Sequence, residues 1–211
     1  MSALRVVKST GFNVLEVRRE FPALHQKVHG KPLVYLDNAA TTQKPKAVLE
    51  ALNHFYTFDC SNVHRAVHAL SDRATKAYEA ARTTVKQFIN ARSEREIIFV
   101  RGATEAINLV MNSFVRPRVK AGGEILISAL EHHSNIVPWQ LLAEQTGARL
   151  VVAPINDAGE LILEEFERRL GPQTALVAVA HVSNALGTIM PVREIIRMAR
   201  ARGVPVLLDG A

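Results

Sequence analysis

At 211 residues the chain is long enough for one large α/β domain or part of a larger protein, and 48% apolar against 6% aromatic residues imply a mostly aliphatic core. The formal charge of +6 is spread over helix-type segments such as Arg18-Arg19 and Arg168-Arg169, without a dense basic run interleaved with aromatics, so a solvated surface is expected rather than a nucleic-acid interface. No apolar run reaches the roughly 18 residues of a membrane span, residues 1–21 lack the pattern of a secretory signal, and the single cysteine, Cys60, suits a reducing compartment; a cytoplasmic protein without a membrane partner is expected.

In chain order, a helical pattern at 13–21 leads to a short strand-like LVYL run at 33–36. Pro45 stands where a first helical turn accepts it, and a helix over 47–58 follows. Over 67–91, Val67, Leu70, Ala74, Tyr78, Ala81, Val85 and Phe88 recur every three or four positions and predict a long helix with one apolar face. Apolar runs at 97–100, 125–127, 150–152, 175–180 and 204–208 read as strands buried on both faces, the pattern of a parallel sheet. Helices are expected between them at 103–114, 137–146, 163–170 and 192–202. The fold class is therefore α/β, a three-layer, mostly parallel sheet flanked by helices.

Ligands in such sheets bind beyond the carboxyl ends of the strands, so the residues that follow each strand are the ones to weigh. After 97–100 comes RGATEAIN, where small residues open a helix and leave backbone N–H groups free to hold an anion, with the Thr104 hydroxyl as a further donor; an ordinary N-cap is the plainer reading. After 125–127 comes SALEHHSN. Adjacent histidines diverge and make a poor pair of metal ligands, with no Cys, Asp or third His at ligand spacing, so no metal is expected; an imidazole at the mouth of a sheet suits stacking on a ring, or a plain backbone hydrogen bond. After 175–180 comes HVSNALGT, in which Asn184 either closes a Gly turn or offers its amide to a ligand. After 204–208 comes Asp209, a carboxylate whose burial is costly unless a cation meets it. Taken together, a phosphate cradle, a stacking imidazole, an amide and a buried carboxylate match the needs of pyridoxal phosphate.

Several stretches resemble the NifS/SufS-like cysteine desulfurases of the class V aminotransferase superfamily: YLDNAATT from Tyr35, VHRAVH from Val63, RGATEAINLV from Arg101, EHHSNIVPWQ from Glu131, HVSNALGT from His181 and the LLDGA ending. The pair EHHSNIVPW and HVSN-x-LGT points to the SUF-type branch. That resemblance implies fold type I of the pyridoxal-phosphate enzymes, a homodimer, L-cysteine as substrate and a sulfur-acceptor protein of iron–sulfur cluster assembly. It implies an N-terminal helical segment over 1–30 and a partial cofactor-binding large domain over 31–211. It also implies that Ala103 and Thr104 bind the cofactor phosphate, that His132 stacks on the ring and that Asn184 meets the phenolic oxygen and the substrate carboxylate. It implies further that Asp209 pairs with the ring nitrogen, that Ala39 and Ala40 fall in the loop lining the substrate pocket, and that His64 and Arg65 lie near that pocket.

The same resemblance places the Schiff-base lysine, the nucleophilic cysteine and the carboxylate-binding arginine beyond residue 211, so the chain alone is expected to be inactive. Cys60, with His64 four residues on and one helical turn away if helical, is a poor substitute, since a free Cys is more often a small buried hydrophobe. A selenocysteine lyase, another class V enzyme, or a noncatalytic truncated homologue are the alternatives. A nicotinamide enzyme is excluded by the lack of Gly-x-Gly-x-x-Gly after an early strand.

Overall fold

Four of the apolar runs pair into one parallel sheet. A computed structural model describes residues 11–65 and 67–211; Ala66 of the VHRAVH stretch and residues 1–10 of the expected N-terminal segment lie outside the described residues. The chain divides into two units, Met1–Ile98 and Phe99–Ala211.

In the first unit, α1 (Val14–Arg19) is capped by Asn13, whose side chain accepts from the Glu16 N–H. A small hairpin pairs β1 (Lys27–Val28) with β2 (Lys31–Pro32). Helix α2 (Lys46–His54) starts after Pro45 and runs into a π-helical turn, Phe55–Asp59. The long helix α3 (Ala69–Phe88) starts at His68, whose ring nitrogen accepts from the Ser71 N–H, and ends before Asn90, which takes a left-handed φ of 55°. Its apolar stripe is only partly covered, because burial among the described residues of this unit is confined to Ser71, Ala74 and Ile97.

The second unit carries β3 (Glu124–Ser128), β4 (Arg149–Ala153), β5 (Thr174–Ala180) and β6 (Val206–Asp209), all parallel, in the spatial order β4-β3-β5-β6. Side-chain alternation splits the core into two layers. Ile125 and Ile127 of β3 and Leu176 and Ala178 of β5 face α4 (Ala103–Val110) and α5 (Val137–Thr146), meeting Ile107, Met111, Trp139 and Leu142. Leu126, Val177 and Val179 face α6 (Leu163–Arg169) and α7 (Val192–Ala201), meeting Phe166, Ile195 and Met198. Ile125, Leu126 and Ile127 are at most 2% exposed, a burial that contributes roughly 1.5–3 kcal/mol per side chain. Helix α5 has the predicted bounds because Pro138 fits its first turn and Gly147, at φ 73°, closes it in the left-handed region.

Two predicted strands are corrected. Residues 33–36 and 97–100 run without ladder pairing, the nearest strand to the first being β2 just before it. Apolar composition makes such runs competent to pair, but a strand exists only where a neighbour takes its N–H and C=O groups; Ile98 is 65% exposed. The expectation of burial on both faces also fails at the outer strands of the four. Val152 of β4 and Leu208 of β6 are exposed, since each strand has a partner on one side alone.

Candidate active site

The carboxyl ends of β3, β5 and β6 lie at one rim because the three strands are parallel and adjacent, with Ala180 paired to Asp209. A hollow of about 350 Å³ opens there, lined among others by Glu131, His132, Ser183, Asn184 and Leu186. His132 and Asn184, which stand after different strands, are thereby brought together.

His132 is the N-cap of a 3-10 turn, His133–Asn135. Its Nδ1 accepts from the Ser134 N–H at 3.2 Å and lies 2.8 Å from the Ser134 hydroxyl, while its carbonyl accepts from the Asn135 N–H at 2.8 Å. An Nδ1 that accepts from a backbone N–H leaves the ring proton of the neutral imidazole on Nε2. The rings of His132 and His133 are edge to face, with centroids 6.0 Å apart, which is not the arrangement of a shared ligand pair. Among the described residues no group of three or more His, Cys, Asp or Glu is placed to hold a metal ion.

Asn184 stands in a tight turn that other groups close. The Ser183 N–H donates to the Thr188 carbonyl at 2.9 Å, the Ser183 hydroxyl accepts from the Leu186 N–H at 3.3 Å, and Gly187 supplies the left-handed φ of 71°. The plainer reading of Asn184 as the turn's own clasp therefore goes to Ser183, which is 2% exposed, and the Asn184 side chain is left exposed at the hollow.

Helix α4 begins at Gly102, which gives no side-chain cap to the first N–H groups, and a Cβ added at Gly102 would meet nothing within 4 Å. Thr104 is exposed in that first turn. Glu105, also in it, is held to the Arg101 backbone N–H at 2.7 Å and to the Arg101 guanidinium, which keeps its carboxyl below the usual range. The helix packs against the turn that follows His132.

Asp209 ends β6, half-buried. Its backbone carbonyl accepts from the His181 N–H at 2.7 Å and its Oδ1 accepts from the Ala211 N–H at 3.0 Å.

Glu131, which the sequence marks only as part of a motif, joins these elements. Its carboxylate accepts from the Ser128 hydroxyl at the end of β3 and from the Asn135 amide at 2.6 Å, and the Ala180 backbone at the end of β5 favours its charged form. Burial pushes its carboxyl above the usual range; the three donors pull the other way, and the negative charge of Asp209 adds to the upward push. Asn135, with no solvent exposure, accepts from the Trp139 indole N–H at 2.9 Å. The legible signal was an Asn four residues before the only Trp, on an expected helix start; nothing local announced the burial of Glu131.

The remaining predicted residues belong to the first unit. Ala39 and Ala40 form an exposed turn closed by the Thr41 N–H on the Asp37 carbonyl at 3.1 Å and clipped by the Tyr35 hydroxyl, which donates to the Thr41 carbonyl at 2.6 Å. His64 has a left-handed φ of 59°, and its ring meets Glu79 at 3.0 Å; Arg65, beside it, is exposed. Cys60 is exposed rather than buried. It follows the π-helical turn in a non-helical segment, so the spacing to His64 does not become one helical turn, and the His64 ring is engaged by Glu79 instead.

A model of the family Aminotransferase class-V matches residues 34–211. The chain is 57% identical over 200 residues to a probable cysteine desulfurase of Mycolicibacterium paratuberculosis, covering 95% of this chain and 29% of that protein. It is 54% identical to a cysteine desulfurase of Synechococcus elongatus, covering 96% and 32% respectively. The apo structure of a cysteine desulfurase from Thermococcus onnurineus superposes with a TM-score of 0.86 at 36% identity, over 100% of this chain and 49% of that one. The chain thus spans between 29% and 49% of the length of these relatives.

Proposed function

The chain belongs to the class-V aminotransferase family, and from that premise we propose that it supplies part of the cofactor-binding domain of a pyridoxal-phosphate-dependent cysteine desulfurase, a domain to which residues 31–211 contribute. The observation that carries this reading is the meeting of His132 and Asn184 at one hollow on the carboxyl rim of the sheet, with Asp209 ending the strand beside them.

The residues present fit a phosphorylated pyridine. The uncapped start of α4 offers the Ala103 and Thr104 N–H groups and the Thr104 hydroxyl to a dianion, at the positive end of the helix dipole. The His132 ring, held from its Nδ1 side, would lie against a face of the pyridine ring. Asn184 offers an amide N–H to the phenolic oxygen and to a substrate carboxylate. Asp209 would hold a proton at the pyridine nitrogen, and among the described residues it has no ion pair that would compete for its charge. When bound, the cofactor supplies an electron sink for charge that develops at the substrate Cα. Ala39, Ala40, His64 and Arg65 would contribute to the substrate side.

The overall reaction in this reading moves the sulfur of L-cysteine onto an enzyme thiol, giving L-alanine and an enzyme persulfide, in a homodimer that passes sulfur to an acceptor protein of cluster assembly. A cytoplasmic setting is consistent with the free thiol of Cys60, and among the described residues no helix is long and apolar enough to cross a membrane. The test is to purify the protein with pyridoxal phosphate, record its visible absorption, and assay alanine released from L-cysteine. The 211 residues alone are expected to form no alanine; joined to a Schiff-base lysine and a nucleophilic cysteine they are expected to bind cofactor and release alanine, and a protein of that kind that retains no cofactor overturns the reading.

A further inference from the structure

The buried polar chain beneath the hollow has a direction fixed by its donors. The Trp139 indole N–H can only donate, so Asn135 must turn Oδ1 toward it and Nδ2 toward Glu131. Glu131 must therefore accept at that point, and its other oxygen accepts from Ser128 at the end of β3. Asn135 simultaneously donates its backbone N–H to the His132 carbonyl at 2.8 Å, and Ser134, between them, donates to the His132 ring. The residue that carries the imidazole is thus gripped through its carbonyl and its Nδ1 by a turn whose two ends, 131 and 135, are bonded to each other.

We propose that Glu131 and Asn135 are positioning residues for His132: their carboxylate–amide clamp closes the turn on which His132 stands, anchors it to β3 and Trp139, and presents the imidazole to the hollow in one orientation. Removing a carboxylate from water with no cation beside it is unfavourable, and among the described residues Glu131 takes part in no ion pair. An apolar side chain at 131 would leave the buried Asn135 amide without an acceptor, so the clamp needs an oxygen at this reach. The charge on that oxygen is incidental to the grip.

The role of the clamp toward a cofactor rests on the function proposed above, and two variants separate reach from charge. Glu131→Gln keeps the length and a carbonyl oxygen for Asn135, while its amide N–H can donate to Ser128; Glu131→Asp keeps the charge and is one methylene short. Both retain a polar group and an intact core, so neither depends on an unfolded protein for its interpretation. In the protein loaded with pyridoxal phosphate, the near-ultraviolet and visible circular dichroism of the cofactor and its rate of loss on dialysis report how the ring is held. In the cofactor-free protein, the imidazole nitrogen resonances of His132 report its tautomer. Glu131→Asp is expected to weaken cofactor retention roughly two- to tenfold, reduce the dichroism and disperse the His132 signals, with Glu131→Gln close to the parent in all three. Glu131→Asp indistinguishable from the parent, or Glu131→Gln as damaged as Glu131→Asp, overturns the clamp. A parent protein that binds no cofactor while the His132 resonances still follow the expected order overturns the proposed function and leaves the clamp standing.

Discussion

Asn135 and Trp139 share a hydrogen bond of 2.9 Å from the indole N–H to the amide oxygen, and both side chains are wholly removed from solvent. The bond ties the turn at the hollow to the first turns of α5 and, through Trp139, to the layer of Ile125, Ile127 and Leu142. Replacing Trp139 by Phe removes the donor, leaves the Asn135 oxygen unsatisfied and vacates part of the indole volume. The expected loss is about 2–4 kcal/mol, measured by chemical denaturation followed in the far ultraviolet, because Trp139 is the chain's only tryptophan and its fluorescence disappears with it. A loss below about 0.5 kcal/mol would mean that the buried pair is not what holds the turn.

The raised carboxyl of Glu131 makes a signed prediction about pH. Burial is the largest cause, ahead of the hydrogen bonds from Ser128, Asn135 and Ala180 that oppose it. A carboxyl that holds its proton more tightly in the folded chain contributes stability that is fully present below its ordinary value of 4.5 and is lost as pH rises through the elevated native value. Glu131→Gln removes that loss. The thermal midpoint of the variant relative to the parent should climb as pH is raised from 4.5 toward neutrality; parallel profiles for the two proteins would show that Glu131 does not titrate above the ordinary range.

Much of the second unit was legible because local chemistry and tertiary structure agree there. Pro138 and Gly147 bracket α5, and continuous apolar runs gave β3 and β5, the two strands with neighbours on both sides. The same reading overreached at 33–36 and 97–100, since apolar composition does not disclose whether a pairing partner exists. His132 and Asn184 were sought after strands by the rule for parallel sheets, and both face one hollow. Glu131 escaped notice because its environment is assembled from Ser128, Asn135 and Ala180, the last of them nearly fifty residues away. Cys60 and His64 show the converse: a spacing of four has meaning only inside a helix, and the segment after residue 59 is not one.

Gly159 supports the outer wall of the hollow. It holds a φ of 77°, a Cβ built on it would stand 2.7 Å from Leu186 Cδ1, and its carbonyl accepts from the Thr188 hydroxyl at 3.0 Å. Leu186 lines the hollow in the turn that carries Asn184. Gly159→Ala should therefore cost about 1–2 kcal/mol from backbone strain and displace that turn. Gly171→Ala, at ordinary φ and with its new Cβ 4.0 Å from the Arg169 carbonyl oxygen, is the control expected to stay within about 0.5 kcal/mol. Equal denaturation midpoints for the two alanine variants would remove Gly159 from the account of how the wall is built.

Asp209 offers the sharpest separation between holding a cofactor and using it. Its side chain stands at the end of β6, its Oδ1 receives the Ala211 N–H at 3.0 Å, and its backbone is pinned by His181. Asn at this position keeps the shape and an oxygen for Ala211 and removes the negative charge alone. In the proposed enzyme that charge keeps a proton on the pyridine nitrogen, whereas the phosphate is held elsewhere, at the start of α4, so the two effects come apart. Asp209→Asn should lower alanine formation by on the order of a hundredfold while cofactor content after dialysis stays close to the parent's. A variant that loses cofactor and activity in the same proportion would assign Asp209 to retention rather than to the electronics of the ring. A variant with parental activity would remove the carboxylate from the chemistry altogether.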